Sequence, residues 1–172
     1  MEEKRGRPLI LPAGRTDWQT PQVVVDRVLA YFGGPPDLDP CGQVGQLMPA
    51  RRIFTGPPDG EDGLAMPWRG KVWLNPPYGR GIDKWLAKAA AERRYGATTL
   101  ALVPANASAL WFQRWVAQEA SVVLFWRGRL RFVGAPSVAG HGHVIALYDL
   151  YLGSADDTQF HEVFGPLGWI VP

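Results

Sequence analysis

Asn75-Pro76-Pro77-Tyr78 is a run of side chains able to hold a planar amino group. Two consecutive prolines fix φ and donate no backbone hydrogen bond. They leave a stiff corner of carbonyl oxygens, flanked by an amide side chain and an aromatic ring. Such a corner suits a ligand that donates two hydrogens and carries a flat π-face, as does the exocyclic amino group of an extruded base. The same four residues would also serve as a plain chain-breaking loop. Their position after the apolar run Lys71-Val72-Trp73-Leu74, and just before a helix, favours a site.

A second group is Asp39-Pro40-Cys41-Gly42. A carboxylate next to a glycine-containing loop can hold a cationic or hydroxyl-bearing cofactor. An Asp-Pro turn in which the aspartate caps its own backbone is the competing reading. Among the cations, Arg127, Arg129 and Arg131 alternate with Leu130 and Phe132. On a strand the arginines would share one face, either a phosphate-facing stripe or an edge kept soluble by charge. Arg80, Lys84 and Lys88 follow Tyr78 and could meet a nucleic-acid backbone, or form a solvated helix face. His141 and His143 have no third ligand near them, so no metal site is expected. Trp111 and Trp115 have core-type helical spacing, whereas Trp18, beside Thr20, is better placed to pack on a cofactor.

The elements that must position these residues follow from periodicity and punctuation. Residues 1–15, with Lys4, Arg5, Arg7 and Arg15, read as a flexible basic arm, and 16–172 as one domain. Thr20 as N-cap and Pro21 in the first turn open a helix with an apolar face at Val24, Val25, Val28, Leu29 and Phe32, which Gly33-Gly34 stops. Strands are predicted at about 37–41, 71–74, 98–103, 122–126, 127–133 and 144–150, and helices over 82–95 and 108–119. Residues 46–70 read mostly as loop, and the chain closes with Gly168 to Val171. Strands alternating with helices, several apolar on both faces, predict an α/β fold: an open, doubly wound, mostly parallel sheet. Ligands of such sheets bind beyond the carboxyl ends of the strands, where both chemical groups lie.

Composition narrows the partners. The 172 residues carry 18 Lys and Arg against 16 Asp and Glu, a net charge of +2 that permits nucleic-acid binding without demanding it. The single cysteine, Cys41, excludes an intrachain disulfide and a four-cysteine zinc site. No apolar run reaches membrane-spanning length, and the N-terminus lacks the apolar core of a signal peptide, so an intracellular, cytoplasmic protein with no membrane partner is expected.

Six segments in order resemble one family, the phage- and prophage-type DNA N6-adenine methyltransferases, or Dam-like group. They are Asp17-Trp18-Gln19-Thr20-Pro21, Leu38-Asp39-Pro40-Cys41, Asp62-Gly63-Leu64 with Trp68, Trp73-Leu74-Asn75-Pro76-Pro77-Tyr78-Gly79, Leu102-Val103-Pro104-Ala105, and Gly128-Arg129-Leu130-Arg131-Phe132. The resemblance implies a Rossmann-like, class I methyltransferase fold that binds S-adenosyl-L-methionine and flips an adenine out of double-stranded DNA. By position, Trp18, Thr20, Pro21, Asp39, Pro40 and Cys41 would line the cofactor, and Asp62 would meet its adenosine. Asn75, Pro76, Pro77 and Tyr78 would hold the adenine, and Arg80, Lys84, Arg127, Arg129 and Arg131 would meet DNA. The loop Cys41-Gly42-Gln43-Val44-Gly45 departs from the usual glycine-x-glycine. Recognition would fall to loops 46–70 and 133–143, in a monomer or homodimer. Methylation of RNA, protein glutamine or cytosine N4, and a non-catalytic DNA-binding relic, are the competing readings.

Overall fold

The computed structural model describes residues 19–152 and 154–172, with 154–157 described by their backbone alone. The expectations for the arm 1–15, for Asp17 and for Trp18 lie outside the described residues. Strands β1 (Leu38–Asp39), β2 (Arg52–Ile53), β3 (Gly70–Leu74), β4 (Ala97–Pro104), β5 (Val122–Trp126), β6 (His143–Tyr148) and β7 (Gly168–Val171) form one sheet in the order β2-β1-β3-β4-β6-β5-β7. Helices α1 (Gln22–Phe32), α2 (Ile82–Glu92), α3 (Leu110–Phe112) and α4 (Ser154–Phe164) cover both faces.

The sheet is α/β but mixed rather than mostly parallel. β2, β1, β3 and β4 pair in parallel. β6 is antiparallel to both β4 and β5, and β7 is antiparallel to β5. Period-two alternation sorts the strand side chains between the two cores. Val72, Leu74, Ala101 and Val103 face α2 and α3, while Trp73, Leu100 and Leu102 face α1 and α4. Leu86 and Leu100 are fully buried, and truncating either to alanine would cost about 2–5 kcal/mol.

Several local expectations change. Thr20 does not cap α1: the N-cap is Pro21, with no side-chain cap, and the Thr20 hydroxyl is engaged elsewhere. The helix stops as its sequence demands, with Gly33 left-handed and its successor's N–H on the Leu29 carbonyl. Residues 108–119 form only the short α3 and a π-helical turn, Gln113–Ala117. The 127–133 strand is absent, because both edges of β5 are taken by β6 and β7. The segment turns at Gly128 and crosses to Gln19 through a single bridge at Val133. β2 emerges within the segment read as loop. α4 was not anticipated: its sequence is polar until Phe160, and Phe160 and Phe164 bury against Tyr31.

Candidate active site at the carboxyl edge of the sheet

β1, β3 and β4 run the same way, so their carboxyl ends share one edge. Asp39 ends β1, Asn75 follows β3 and Pro104 ends β4. β6 runs against them, and its first residue, His143, sits opposite Pro104. An antiparallel strand therefore delivers its amino end to the edge where the parallel strands deliver their carboxyl ends.

Hydrogen bonds join Thr20, Asp39, Cys41, Asn75 and Tyr78 among the residues singled out by sequence. Asn75 donates through Nδ2 to Thr20 Oγ1 at 3.4 Å and accepts on Oδ1 from the Tyr78 hydroxyl at 3.2 Å. The Leu102 carbonyl lies 3.5 Å from the same hydroxyl. These contacts are long, since good N–H···O and O–H···O bonds end near about 3.2 and 3.0 Å, and a ligand can replace them. The Asn75 carbonyl accepts from Cys41 Sγ at 3.3 Å. Pro76 is buried and Pro77 exposed.

Asp39 is buried, with Oδ1 accepting from the Cys41 N–H at 3.1 Å and Oδ2 from Gln46 Nε2 at 2.8 Å. Burial pushes its carboxyl up to about 6, against the lowering effect of the bonds from Gln46 and Cys41. Burial, then the neighbouring Asp39, pushes the Cys41 thiol up as well. Both hydrogen-bond partners of Asp39 are neutral, so no cation compensates this buried carboxylate within the described residues. That donor set fits a cationic ligand such as S-adenosylmethionine. Of the two readings of Asp39, the turn cap is what the hydrogen bonds describe, with Oδ1 accepting from the N–H two residues on.

Gly42 packs so closely on Asp39 and Gln46 that a Cβ there would displace the Asp39–Gln46 pair. A Cβ on Gly63 would collide with the Pro40 carbonyl, so the Asp62 turn lies directly against the Asp39 loop. Trp68 Nε1 holds that turn through the Gly63 carbonyl at 2.8 Å. Asp62 itself is exposed and accepts on Oδ1 from the Leu64 N–H. Pro21, buried, follows Thr20 into α1.

A cleft of about 450 Å³ opens beside this network, lined by Tyr78, Gly79, Ile82, Pro104, Ala105, Asn106, Trp111 and His141. Of the four bracket residues only Tyr78 lines it. Trp111 packs against the core, as its spacing indicates, yet also forms part of the wall. Phe132, His141 and His143 surround Tyr78, with ring centroids 6.2, 6.3 and 5.7 Å away. Burial, then His141 and Arg129, pushes His143 down to about 4, and neither of its ring nitrogens has a hydrogen-bond partner among the described residues. Among the described residues no cluster of three potential metal ligands occurs.

Arg80, Lys84, Arg127, Arg129 and Arg131 are exposed, and none pairs with a described carboxylate. The arginine triad lacks the strand geometry proposed for it, but Leu130 and Phe132 still point inward between the arginines. Sequence reasoning missed Gln46 and Gln19. Gln19 ties the Val133 backbone and the Leu47 N–H to the Thr20 segment. Gln46 belongs to no local pattern, and Gln19, though within the Asp17–Pro21 segment, has no role assigned to it there, so only the fold exposes what each does. No helix among the described residues is long and apolar enough to cross a membrane.

Among curated proteins no relative matches the sequence. The family model for DNA N-6-adenine-methyltransferase (Dam) matches residues 10–142, most of the chain, and takes in Thr20, Asp39, Asn75, Tyr78 and His141. The chain belongs to the DNA N-6-adenine-methyltransferase (Dam) family.

Proposed function

We propose that this chain methylates the N6 amino group of an adenine extruded from double-stranded DNA, with S-adenosylmethionine as the methyl donor and a Rossmann-like sheet as the frame. The observation that carries this reading is the Thr20–Asn75–Tyr78 hydrogen-bonded chain beside buried Asp39, all at one edge of the sheet. When bound, S-adenosylmethionine supplies a methyl group on a positively charged sulfur. Thr20, Pro21, Asp39, Pro40 and Cys41 would hold its cationic end, Asp62 its adenosine and Trp18 a flat face.

Adenine's amino nitrogen is a weak nucleophile because its lone pair is delocalised into the ring. Asn75 Oδ1 and the Pro76 carbonyl accept its two hydrogens and draw the lone pair back onto nitrogen. In the free protein the Tyr78 hydroxyl occupies Asn75 Oδ1, so the arriving amino group shares or displaces that bond. Tyr78 and Pro77 stop the base from rotating. Orientation of this kind can supply about 7–11 kcal/mol of the barrier reduction, with electrostatic complementarity at the amino group added to it. Arg80, Lys84, Arg127, Arg129 and Arg131 neutralise backbone phosphates around the entry to the cleft.

The test is incubation of the purified protein with radiolabelled S-adenosylmethionine and DNA, RNA or protein, followed by nucleoside chromatography. Label in N6-methyladenine from DNA is the expected result. Label in N4-methylcytosine, RNA or glutamine would overturn the assignment.

A further inference from the structure

Three rings pack around Tyr78, and they differ in exposure. Phe132 and His143 are buried at 7% and 1%, whereas His141 is exposed and lines the cleft. Tyr78 is tethered through its hydroxyl to Asn75 and Leu102. His141 is flanked by Gly140 and Gly142, so neither neighbour carries a side chain to wall it off. The other polar side chain on the cleft wall is the Asn106 amide, and the remaining lining is glycine, apolar or aromatic. The cleft thus has a flat floor and one imidazole edge, in a volume within the roughly 300–1,000 Å³ usual for small-ligand sites.

We propose that His141 contacts the target base, hydrogen-bonding a ring nitrogen of the extruded adenine that flanks its amino group while the base rests on Tyr78. This inference rests on the adenine-methylation reading. Burial, then Arg129, lowers the His141 imidazole below its ordinary value. It is therefore neutral at neutral pH and offers one donor and one acceptor. Adenine presents an acceptor nitrogen on each side of its amino-bearing carbon, so the imidazole N–H has a partner whichever edge faces it. Guanine presents a carbonyl oxygen where adenine has its amino group and carries a hydrogen on N1 but not on N7, so an imidazole N–H donated to N1 also discriminates between purines, whereas one donated to N7 does not.

The experiment uses duplexes carrying the site mapped for the wild-type protein, with the target as adenine, 1-deazaadenine or 7-deazaadenine. Steady-state methyl transfer is measured for wild type, His141→Ala and His141→Gln. Removing a direct hydrogen bond to the base is expected to lower kcat/KM of His141→Ala on adenine by about 10- to 100-fold. On the one analogue that lacks the contacted nitrogen, wild type and His141→Ala become equal, and on adenine His141→Gln recovers part of the loss. Equal turnover of wild type and His141→Ala on adenine, or an equal loss on all three targets, overturns the proposal while leaving the adenine reading intact. A wild-type protein that modifies no adenine overturns both.

Discussion

The two edges of the sheet differ in how they pair charge. At the edge where β1, β3 and β4 begin, most charges are paired, although Arg93 Nε and the Thr99 hydroxyl near it are buried without a partner among the described residues. Asp37 pairs with Arg51 and accepts from the Lys71 N–H, and Asp149 accepts from Thr98 at 2.6 Å and from the Tyr151 N–H. Nearby, Glu92 holds both Arg69 and Lys88, and Arg93 pairs with Glu119. At the carboxyl edge, five exposed cations have no described carboxylate, Asp39 is buried among neutral partners, and His143 leaves both nitrogens unmatched among the described residues. Buried polar groups are ordinarily satisfied. What distinguishes the carboxyl edge is charge without a counterion, in buried Asp39 and in the exposed cations, and this contrast marks it as the candidate working surface.

The largest break in this contrast is expected at Tyr78. Tyr78→Ala removes the ring that floors the cleft and should lower kcat/KM by about a hundredfold, since base–aromatic stacking is worth about 1–3 kcal/mol. Tyr78→Phe keeps the ring and frees Asn75 Oδ1, so methyl transfer should stay within about tenfold of wild type while stability falls by about 1 kcal/mol. Steady-state kinetics and denaturant unfolding of the two variants separate the roles of ring and hydroxyl.

The cations sharpen the comparison next. Replacing Arg127, Arg129 and Arg131 by alanine should weaken DNA binding and lower the slope of log affinity against log salt by about one for each phosphate no longer neutralised. Replacing Arg51 and Arg52, the exposed partners of Asp37 and Glu61, should leave that slope unchanged and have little effect on stability, since exposed ion pairs are screened by solvent. Titrations of a labelled duplex at several salt concentrations distinguish the two sets.

Acid exposes the buried histidine. Its folded value is depressed to about 4 from an ordinary 6.5, so the stability it contributes is present above 6.5 and lost as pH falls toward 4. Asp39 has the opposite sign: raised to about 6 from 3.8, it contributes stability below 3.8 that is lost as pH rises through 6. The Asp39 contribution cancels when wild type is compared with His143→Phe. The difference between them should therefore move by on the order of 3 kcal/mol in favour of the variant over the window from 6.5 to about 4, as read from urea unfolding.

Much of the site was legible because its residues carry local signatures. A double proline between strand and helix, and an aspartate ending a short strand, mark themselves by chain chemistry, and parallel pairing of β1 with β3 brings them together. What was not legible depended on pairing that no local pattern encodes. The alternation from Arg127 to Val133 looks like a strand, but β7 had already taken the free edge of β5. In the sequence His141 and His143 are weighed only as metal ligands, because nothing local says that β6 runs backwards into the candidate site. α4 escaped notice because its packing rests on Phe160 and Phe164 near its end.

Asn75 as the acceptor for the amino group is the centre of the proposed mechanism. The direct measurement is single-turnover methyl transfer to DNA by Asn75→Ala at saturating S-adenosylmethionine, with cofactor affinity measured by calorimetry. Cofactor affinity should stay within a few-fold of wild type, while the methyl-transfer rate falls by about a hundredfold or more. A variant that binds cofactor normally and transfers the methyl group at the wild-type rate would contradict that mechanism.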